Sequence, residues 1–435
     1  MVALAEVRMW GRTIGAVSLS ETDPVASFEY DPPFARSGIQ VSPLVMPLSR
    51  RVYRFAELSR ESFFGLPGLL ADALPDRFGH TLIDAWLATQ GRSPDTFNVI
   101  ERLCYTGERG MGALEFHPMS GPTEQRSRPL EIDHLVALAS DVLSHRNQLQ
   151  ASFSAEHTEQ GLIDILRVGT SAGGARAKAV IAWNPATQEV RSGQIDAGDG
   201  FEYWLLKFDG VSGNRDKELD DPRGYGAVEY AYYCMARDAG IEISESRLLE
   251  ENGRRHFMTR RFDRLSGGEK LHMQSLGGLA HFDFNLPGAY SYEQAMQVIR
   301  QLGLPMSSVE EQFRRMAFNI VARNQDDHVK NIAFLMNKQG EWRLAPAYDL
   351  TYSFNPLGAW TSRHQMTLNG KREDFTLEDF KACGRTLSLK RGRAETLLRE
   401  VVDTVSQWPD YADEARVPPG MRDQIGMNLR LGGWF

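Results

Sequence analysis

The stretch RNQDDHVKNIAFLM, residues 323–336, puts a polar loop between an apolar helical pattern and an apolar strand pattern. Ionisable and amide side chains crowd this loop, which carries Asp326, Asp327, His328, Lys330 and Asn331. A turn can be capped by its own Asp and Asn side chains, so a solvated turn is the structural alternative. The number of such side chains exceeds what a turn needs. The stretch therefore predicts a catalytic or cation-binding loop.

A second acidic residue follows on a neighbouring loop. Asp349 lies in RLAPAYDLTYS, residues 343–353, directly after another strand-like run. A hard cation such as Mg²⁺ prefers oxygen ligands and usually keeps substrate phosphates as further ligands. We therefore predict that Asn331 and Asp349 supply two oxygen ligands to Mg²⁺.

The distance along the chain between Asp326 and Asn331 indicates a kind of chemistry. The catalytic Asp and the metal-binding Asn of the protein-kinase loop H-R-D-x-x-x-x-N have the same separation. The spacing predicts that Asp326 accepts the proton of an acceptor hydroxyl. The His-Arg pair that precedes the Asp in that loop is missing, since Asn324 and Gln325 stand there.

A site of this kind also needs a lysine for the nucleotide phosphates, and Lys207 in YWLLKFD is the best candidate. An unpaired ammonium group is costly to bury, so a lysine in an apolar strand is either paired or directed into a cleft. An outward-facing strand lysine is the alternative. Glu229, on the next predicted helix, is the candidate ion-pair partner of Lys207.

A glycine-rich loop opens SAGGARAKAVIAW, residues 171–183, ahead of a β-forming run. The loop is not a Walker A motif, because Ala175 stands where that motif has its lysine. Glycine lets the backbone approach a ligand closely. The N–H groups of Gly173 and Gly174 are therefore predicted to cradle phosphate oxygens, with added charge from Lys178 and Arg176. A surface turn is the alternative.

Composition limits the classes of protein that fit. The chain has 435 residues, a formal net charge of −8, 42% hydrophobic residues and 24% charged residues, which indicates a globular protein of two or three domains. The acidic balance argues against a free-standing DNA-binding protein. Three separated cysteines fit a reducing compartment and no structural zinc site. Without a signal-peptide pattern or a run of about 20 apolar residues, we expect a cytoplasmic protein with no membrane partner.

Local patterns predict several individual elements. They are a hairpin around Gly11-Arg12, a helical region over 63–91 with a break near Pro75, a helix over 224–239, a strand over 256–264, a helix begun by a capping box at Ser308 and Glu311, and a helix over 391–408.

The order of these elements predicts an α+β fold of two lobes with a cleft between them. The polar stretch PMSGPTEQRSRP, residues 118–129, is the predicted linker. We predict an N-terminal domain with a β-rich subdomain over 1–120, a β-rich lobe with the glycine loop over 121–264, and an all-helical lobe over 265–435.

The motifs together resemble those of a known family. GTSAGGARAKAV, YWLLKFD, RRFDR, NQDDHVKN and APAYDL resemble, in order, motifs of the HipA-type serine/threonine kinases, toxins of bacterial type II toxin–antitoxin modules. WGRTIGAVSL, FEYDPPF, SPLVMPLSRR, GLLADALPDRFG and GERGMGALEFHP resemble the N-terminal domain of that family. The resemblance covers nearly the whole chain and implies a bilobal protein-kinase-like fold that binds ATP and Mg²⁺.

The resemblance also implies roles for individual residues. Asp326 matches the catalytic base, Asn331 and Asp349 match the magnesium ligands, and Lys207 matches the lysine that contacts ATP phosphates. Residues 260–262 match the hinge strand that meets adenine through backbone groups. The full set of predicted ATP-binding residues is Gly173, Gly174, Ala175, Lys178, Lys207, Arg260, Phe262, His328, Lys330, Asn331 and Asp349.

Ser171 matches the serine whose autophosphorylation inactivates the enzyme. A phosphate there adds about −1.5 to −2 charge and would compete with ATP for the same donors. Thr170 precedes Ser171, so the modified hydroxyl is open between the two. Asp327 leaves the choice of base open as well, although the spacing to Asn331 favours Asp326.

The function implied by the resemblance is that of a toxin kinase. Its substrate is expected among translation components, such as the aminoacyl-tRNA synthetase for glutamate, and phosphorylation would cause growth arrest and persistence. A HipB-like helix-turn-helix antitoxin is the expected partner, with operator DNA bound through it. The alternatives are a small-molecule kinase, against which the N-terminal domain argues, and a catalytically silent regulator that binds antitoxin and operator.

Overall fold

A computed structural model describes residues 3–121, 129–144, 165–166, 168–169, 176–211, 223–265 and 268–435. Helices and three antiparallel sheets alternate along this part of the chain, which confirms the α+β prediction. No helix in these ranges combines the length and the apolar character needed to cross a lipid bilayer. Residues 122–128 of the predicted linker lie outside the described residues, and the domain boundaries near 120 and 265 stay predictions.

The first sheet confirms the predicted hairpin, but its turn lies one residue earlier than predicted, because Arg12 is already the first residue of β2. Its strands lie in the order β3-β2-β1-β4 and are β1 (Leu4–Met9), β2 (Arg12–Ser18), β3 (Ser27–Tyr30) and β4 (Leu114–His117). Met9 pairs with Arg12, so the turn residues are Trp10 and Gly11, with φ of 52° and 73°. Positive φ at both positions suits a two-residue turn between twisted strands.

Four helices complete the N-terminal region, and they are α1 (Arg60–Phe63), α2 (Gly68–Ala71), α3 (Arg77–Thr89) and α4 (Val99–Thr106). The predicted break near Pro75 is present between α2 and α3, but residues 64–67 of the predicted helical region are not helical and separate α1 from α2. The Asp76 carboxylate caps α3 by accepting a hydrogen bond from the Gly79 N–H at 2.7 Å. Phe78 and Leu82 of α3 belong to the same buried cluster as Ile181 and Leu206, which lie in the second sheet. The start of α3 is thereby fixed against the second sheet.

The second sheet has the strand order β6-β5-β7-β9-β8. Its strands are β5 (Lys178–Trp183), β6 (Val190–Ser192), β7 (Glu202–Lys207), β8 (Ser246–Glu251) and β9 (Arg254–Arg260). Two helices accompany it, α5 (Ile132–Ser144) and α6 (Tyr225–Asp238), the second of which confirms the helix expected over 224–239. The strand expected over 256–264 ends earlier, at Arg260, although the Arg261 N–H still donates to the Tyr203 carbonyl oxygen of β7 at 2.9 Å.

The C-terminal region is mainly helical, but the prediction of an all-helical lobe is wrong. A third antiparallel sheet, ordered β10-β11-β12, contains β10 (His272–Ser275), β11 (Ala333–Met336) and β12 (Trp342–Leu344). The helices are α7 (Leu276–Ala280), α8 (Tyr292–Gln301), α9 (Met306–Val321), α10 (Leu377–Thr386), α11 (Arg393–Val405), α12 (Trp408–Glu414) and α13 (Pro419–Asn428). The sheet places the polar loop of residues 323–331 directly before β11.

The predicted capping box is also corrected. Helix α9 begins at Met306 with Pro305 as its N-cap, so Ser308 already lies inside the first turn. A capping box with both hydrogen bonds occurs instead at Ser291 and Gln294, at the start of α8. Helix α11 confirms the helix expected over 391–408.

A buried histidine in β9 predicts a pH-dependent stability. His256 is fully buried, and its Nδ1 accepts a hydrogen bond from the Asp209 N–H at 2.9 Å, which requires the neutral ring. Burial lowers the pKa of His256 to about 4, whereas an unfolded histidine titrates near pH 6.5. The unfolded chain therefore binds more protons between these values, and stability falls as the pH decreases through this window.

We expect the His256 contribution to lower the free energy of unfolding by about 2 kcal/mol between pH 7 and pH 5. Urea unfolding at both pH values, with wild type and His256→Asn compared, measures it. An asparagine oxygen can accept the same hydrogen bond but does not titrate, so the variant should lose less stability on acidification. An equal loss in both proteins contradicts the assignment.

Candidate active site

A buried ion-pair cluster joins the second sheet to the loop after β12. The Lys207 Nζ, at the end of β7, donates to the carboxylates of Glu229 on α6 and of Asp349. The predicted pair between Lys207 and Glu229 is thus present. Arg176 also reaches Glu229, at 2.9 Å. Burial alone would lower the pKa of Lys207, but Asp349 and Glu229 raise it above its usual value, so the ammonium stays charged.

Asp349 combines an unusual backbone conformation with a side-chain contact to Lys207 of the second sheet. Its φ is 55°, in the left-handed region that non-glycine residues rarely adopt. Burial alone would raise the pKa of Asp349, but Lys207 and then Lys178 hold it well below its usual range. The carboxylate is therefore ionised at neutral pH.

The loop of Asp326 and the loop of Asp349 lie side by side, as the sequence predicted. Asn324 forms a parallel bridge with Ser353, and its Nδ2 donates to the Asp349 carbonyl oxygen at 3.4 Å. The Asn331 Nδ2 donates to the Asp326 carbonyl oxygen at 2.9 Å, which closes the polar loop on itself. With its nitrogen held in this way, Asn331 keeps its amide oxygen as the atom available to a cation.

The two adjacent aspartates of the loop have opposite environments. The Asp326 side chain is 44% exposed, and its Oδ1 accepts a hydrogen bond from the Trp360 indole N–H at 2.7 Å. Asp327 is 3% exposed and its carboxylate accepts hydrogen bonds from Tyr292, His364 and Gln365. Asp327 is therefore engaged in the packing of the lobe, whereas Asp326 is partly exposed to solvent.

His328 and Lys330 lie on the same loop. The His328 Nε2 is 3.8 Å from the Asp326 Oδ1, and its Nδ1 is buried without a hydrogen-bond partner. The Lys330 Nζ lies 4.5 Å from the ring centroid of Phe284, and the Lys330 carbonyl oxygen accepts a hydrogen bond from the Tyr348 hydroxyl at 2.5 Å.

Lys178 forms an ion pair that the sequence did not predict. Its Nζ lies 3.0 Å from the carboxylate of Asp76, the N-cap of α3. The described residues do not include the glycine loop itself, which contains Ser171, Gly173, Gly174 and Ala175.

The segment predicted to meet adenine begins at Arg260, the last residue of β9. The Arg260 N–H donates to the Glu245 carbonyl oxygen at 2.8 Å, and the Arg260 carbonyl oxygen accepts from the Ser244 hydroxyl at 2.6 Å. The Arg260 side chain is about half exposed, and the Phe262 ring lies 5.7 Å from that of Tyr348. Arg260 thus uses its backbone groups within the chain, and Phe262 packs beside the residue before Asp349.

A buried charge network follows this segment, and sequence reasoning missed it. The Asp263 carboxylate is fully buried and accepts hydrogen bonds from Arg261, Arg264 and the Gly112 N–H. Arg264 also donates to the carbonyl oxygens of Gly110 and Gly112, each at 3.0 Å. Trp360 and Asp76 were missed as well, because each meets its partner only through the tertiary fold.

Comparison with known families places two matches along the chain. Residues 170–408 match the family described as HipA-like C-terminal domain, and residues 5–117 match the family described as HipA N-terminal domain. Together these matches span most of the chain, including the polar loop and the ion-pair cluster.

Two curated relatives carry names that refer to an activity. The chain is 25% identical over 231 residues to "Putative kinase Y4mE" of Sinorhizobium fredii, covering 48% of this chain and 55% of the relative. It is 27% identical over 134 residues to a "Putative kinase" of Haemophilus influenzae, covering 28% and 39%. The alignments thus span about half or less of these relatives' lengths.

A solved structure shares the whole fold. HipA of Shewanella oneidensis, determined with HipB and operator DNA, superposes with a TM-score of 0.67 at 16% identity, covering 98% of this chain and 96% of that chain. The match confirms the predicted bilobal, HipA-like fold.

Proposed function

Because the chain belongs to the HipA family, we propose that it is an ATP- and Mg²⁺-dependent serine/threonine protein kinase that acts as the toxin of a type II toxin–antitoxin module. The main support for the proposal is the way one lysine and three carboxylates are arranged. Lys207 joins Glu229 and Asp349, and the exposed carboxylate of Asp326 lies on the neighbouring loop. Kinases use a lysine, a metal-binding Asp and a catalytic Asp in this way.

Asp326 is the proposed base. Its side chain is 44% exposed while Asp327 is buried, and the Trp360 N–H donates a hydrogen bond to the Asp326 Oδ1 and thereby orients the carboxylate. In the proposed step the acceptor oxygen forms a bond to the γ-phosphorus of ATP. The bond from that phosphorus to the β–γ bridging oxygen breaks and ADP leaves, while the hydroxyl proton passes to Asp326.

The donor set fits magnesium. Asn331 offers an amide oxygen and Asp349 an ionised carboxylate, and oxygen ligands of this kind suit Mg²⁺. When bound, the ion neutralises charge on the phosphates. Lys207 would exchange its bond to Asp349 for a phosphate oxygen while Glu229 keeps it oriented.

The other proposed ATP contacts surround this centre. They are Gly173, Gly174, Ala175, Lys178, Arg260, Phe262, His328 and Lys330. The unpartnered Nδ1 of His328 and the position of Lys330 on the same loop support a role for these two beside the phosphates.

A HipB-like antitoxin is the proposed partner, with operator DNA bound through it. The support is the shared fold with the Shewanella oneidensis HipA that was solved with HipB and operator DNA. We further propose a cytoplasmic location and a protein substrate among translation components, such as the glutamate aminoacyl-tRNA synthetase, whose phosphorylation would arrest growth and favour persistence.

Replacing Ser171 with alanine should remove most autophosphorylation. A phosphate on this loop would add about −1.5 to −2 charge beside the ATP phosphates, which explains an inactivating effect. Mass spectrometry of the protein after incubation with Mg²⁺ and ATP measures the modification, with Thr170→Ala as the matched control. Phosphate that remains in the Ser171 variant and disappears in the Thr170 variant contradicts the assignment to Ser171.

The substrate class is tested by expression and by phosphosite mapping. Growth arrest on expression, together with new phosphoserine or phosphothreonine in one translation protein of a bacterial extract, supports a protein kinase. Phosphorylated metabolites without labelled protein would support a small-molecule kinase. Mg²⁺–ATP binding without any transfer would support a silent regulator.

A further inference from the structure

One short segment of the N-terminal region contacts both lobes around the proposed ATP cleft. The segment runs from Gly68 to His80 and includes α2 and the start of α3. On the side of the second sheet, the Asp76 carboxylate meets the Lys178 Nζ at 3.0 Å. On the other side, the Asp72 carboxylate accepts hydrogen bonds from the N–H and the hydroxyl of Ser275 at 2.5 and 2.7 Å, at the start of α7.

The contact of this segment with α7 is close. The Gly68 N–H donates to the His281 Nε2 at 3.0 Å. A β-carbon at Gly278 would lie 2.6 Å from the Asp72 Oδ2 and 3.0 Å from the Gly68 carbonyl oxygen. The segment is therefore fixed on the C-terminal lobe before it reaches Lys178.

The contact with Lys178 is deeply buried. The side chain of Lys178 is 2% exposed and that of Asp76 is 5% exposed. A lysine this deeply buried requires a counter-charge. Lys178 is the register partner of Lys207 across the antiparallel strands β5 and β7, so the two side chains lie on the same face of the sheet, and Lys207 is bonded to Asp349. Lys178 is the first residue of β5, and it therefore lies at the end of the sheet where Lys207 of β7 meets Asp349.

We propose that Asp76 is a positioning residue for the nucleotide site, holding Lys178 in place so that the N-terminal region completes the phosphate-binding side of the cleft. The proposal rests on the proposed function, because it requires that the cleft bind ATP. The proposal gives the N-terminal region a direct part in nucleotide affinity. The proposed catalytic and metal-binding residues all lie outside that region.

A double-substitution cycle tests the proposal, with the affinity for Mg²⁺ and a non-hydrolysable ATP analogue measured by calorimetry. Asp76→Asn removes the charge and keeps the cap of α3, since asparagine caps helices as well as aspartate does. We expect it to weaken binding by about tenfold, the loss of one charge-assisted contact. Lys178→Met should weaken binding to a similar extent.

The double variant carries the decisive comparison. If Asp76 acts through Lys178, adding Asp76→Asn to Lys178→Met weakens binding no further. The affinities of Lys178→Met and of the double variant can be compared even if Asp76→Asn alone fails to fold. Both of these proteins lack Lys178, so neither contains an unpaired buried lysine. Asp76→Glu, which keeps the charge, should recover part of the affinity.

Asp84→Asn is the matched control, since Asp84 lies on the same helix and pairs with Arg102 at 2.9 Å away from Lys178. Its affinity should equal that of wild type. Additive losses in the double variant, or unchanged affinity in a folded Asp76→Asn, overturn the proposal. Wild-type protein that binds no nucleotide overturns the proposed function and this inference with it, so the two failures are distinguishable.

Discussion

Replacing Asp326 with asparagine is expected to lower kcat for phosphoryl transfer by about 10²–10⁴-fold, the usual contribution of a general base. Asparagine keeps the size of the side chain and an oxygen that can accept the Trp360 N–H, but it cannot take up the acceptor proton. Because the side chain is 44% exposed, little stability should be lost. Initial rates of label transfer from ATP measure the effect, and the toxicity of the expressed variant should fall in parallel.

Asp403→Asn is a suitable control for this substitution, because Asp403 is an exposed carboxylate on α11. Its rate should match that of wild type. An Asp326→Asn variant that transfers phosphate at the wild-type rate contradicts the assignment of the base.

Replacing Asp263 with asparagine is expected to cost about 3–5 kcal/mol of unfolding free energy, the usual effect of removing one partner from a buried ion pair. Burial alone would raise the pKa of Asp263, but Arg261 and then Arg264 hold it well below its usual range, so the native side chain is a carboxylate. Its two oxygens accept hydrogen bonds from both arginines and from the Gly112 N–H. An amide offers one oxygen fewer and places an N–H₂ group against these donors.

Denaturant unfolding of the variant measures this loss. Glu269→Gln is the matched control, because Glu269 pairs with Lys338 at 2.8 Å on the exposed surface and should contribute less than about 1 kcal/mol. Equal stability of the two variants contradicts the account of the network. Asp263 follows directly on the predicted adenine segment, so we also expect weaker ATP binding at temperatures where the variant is folded.

The features that depend on local sequence patterns could be predicted from the sequence. The break near Pro75, the helix of residues 225–238 and the closeness of the two polar loops were all confirmed. The pair between Lys207 and Glu229 was predicted because a lysine in an apolar strand needs a partner, and the next helix offered one. Family membership was predicted from the order of many short motifs, and the family matches confirmed it.

Contacts between distant segments could not be predicted in this way. Asp76 and Lys178 meet only because α3 packs on the second sheet, and nothing in either local pattern indicates the partner. Residues 272–275 form a strand through pairing with residues 333–336, although they are too short and too polar to be recognised as one. Ser308 and Glu311 have the spacing of a capping box, but the helix had already begun at Met306.

The most direct test of the central claim is the transfer of the γ-phosphate from labelled ATP by purified protein, with Mg²⁺ or with excess EDTA. The account predicts label on serine or threonine of this chain or of an added protein substrate, dependent on Mg²⁺ and absent with Asp326→Asn. Bound ATP in the presence of Mg²⁺ without label on any protein would contradict the claim that this cleft is the active site of a protein kinase.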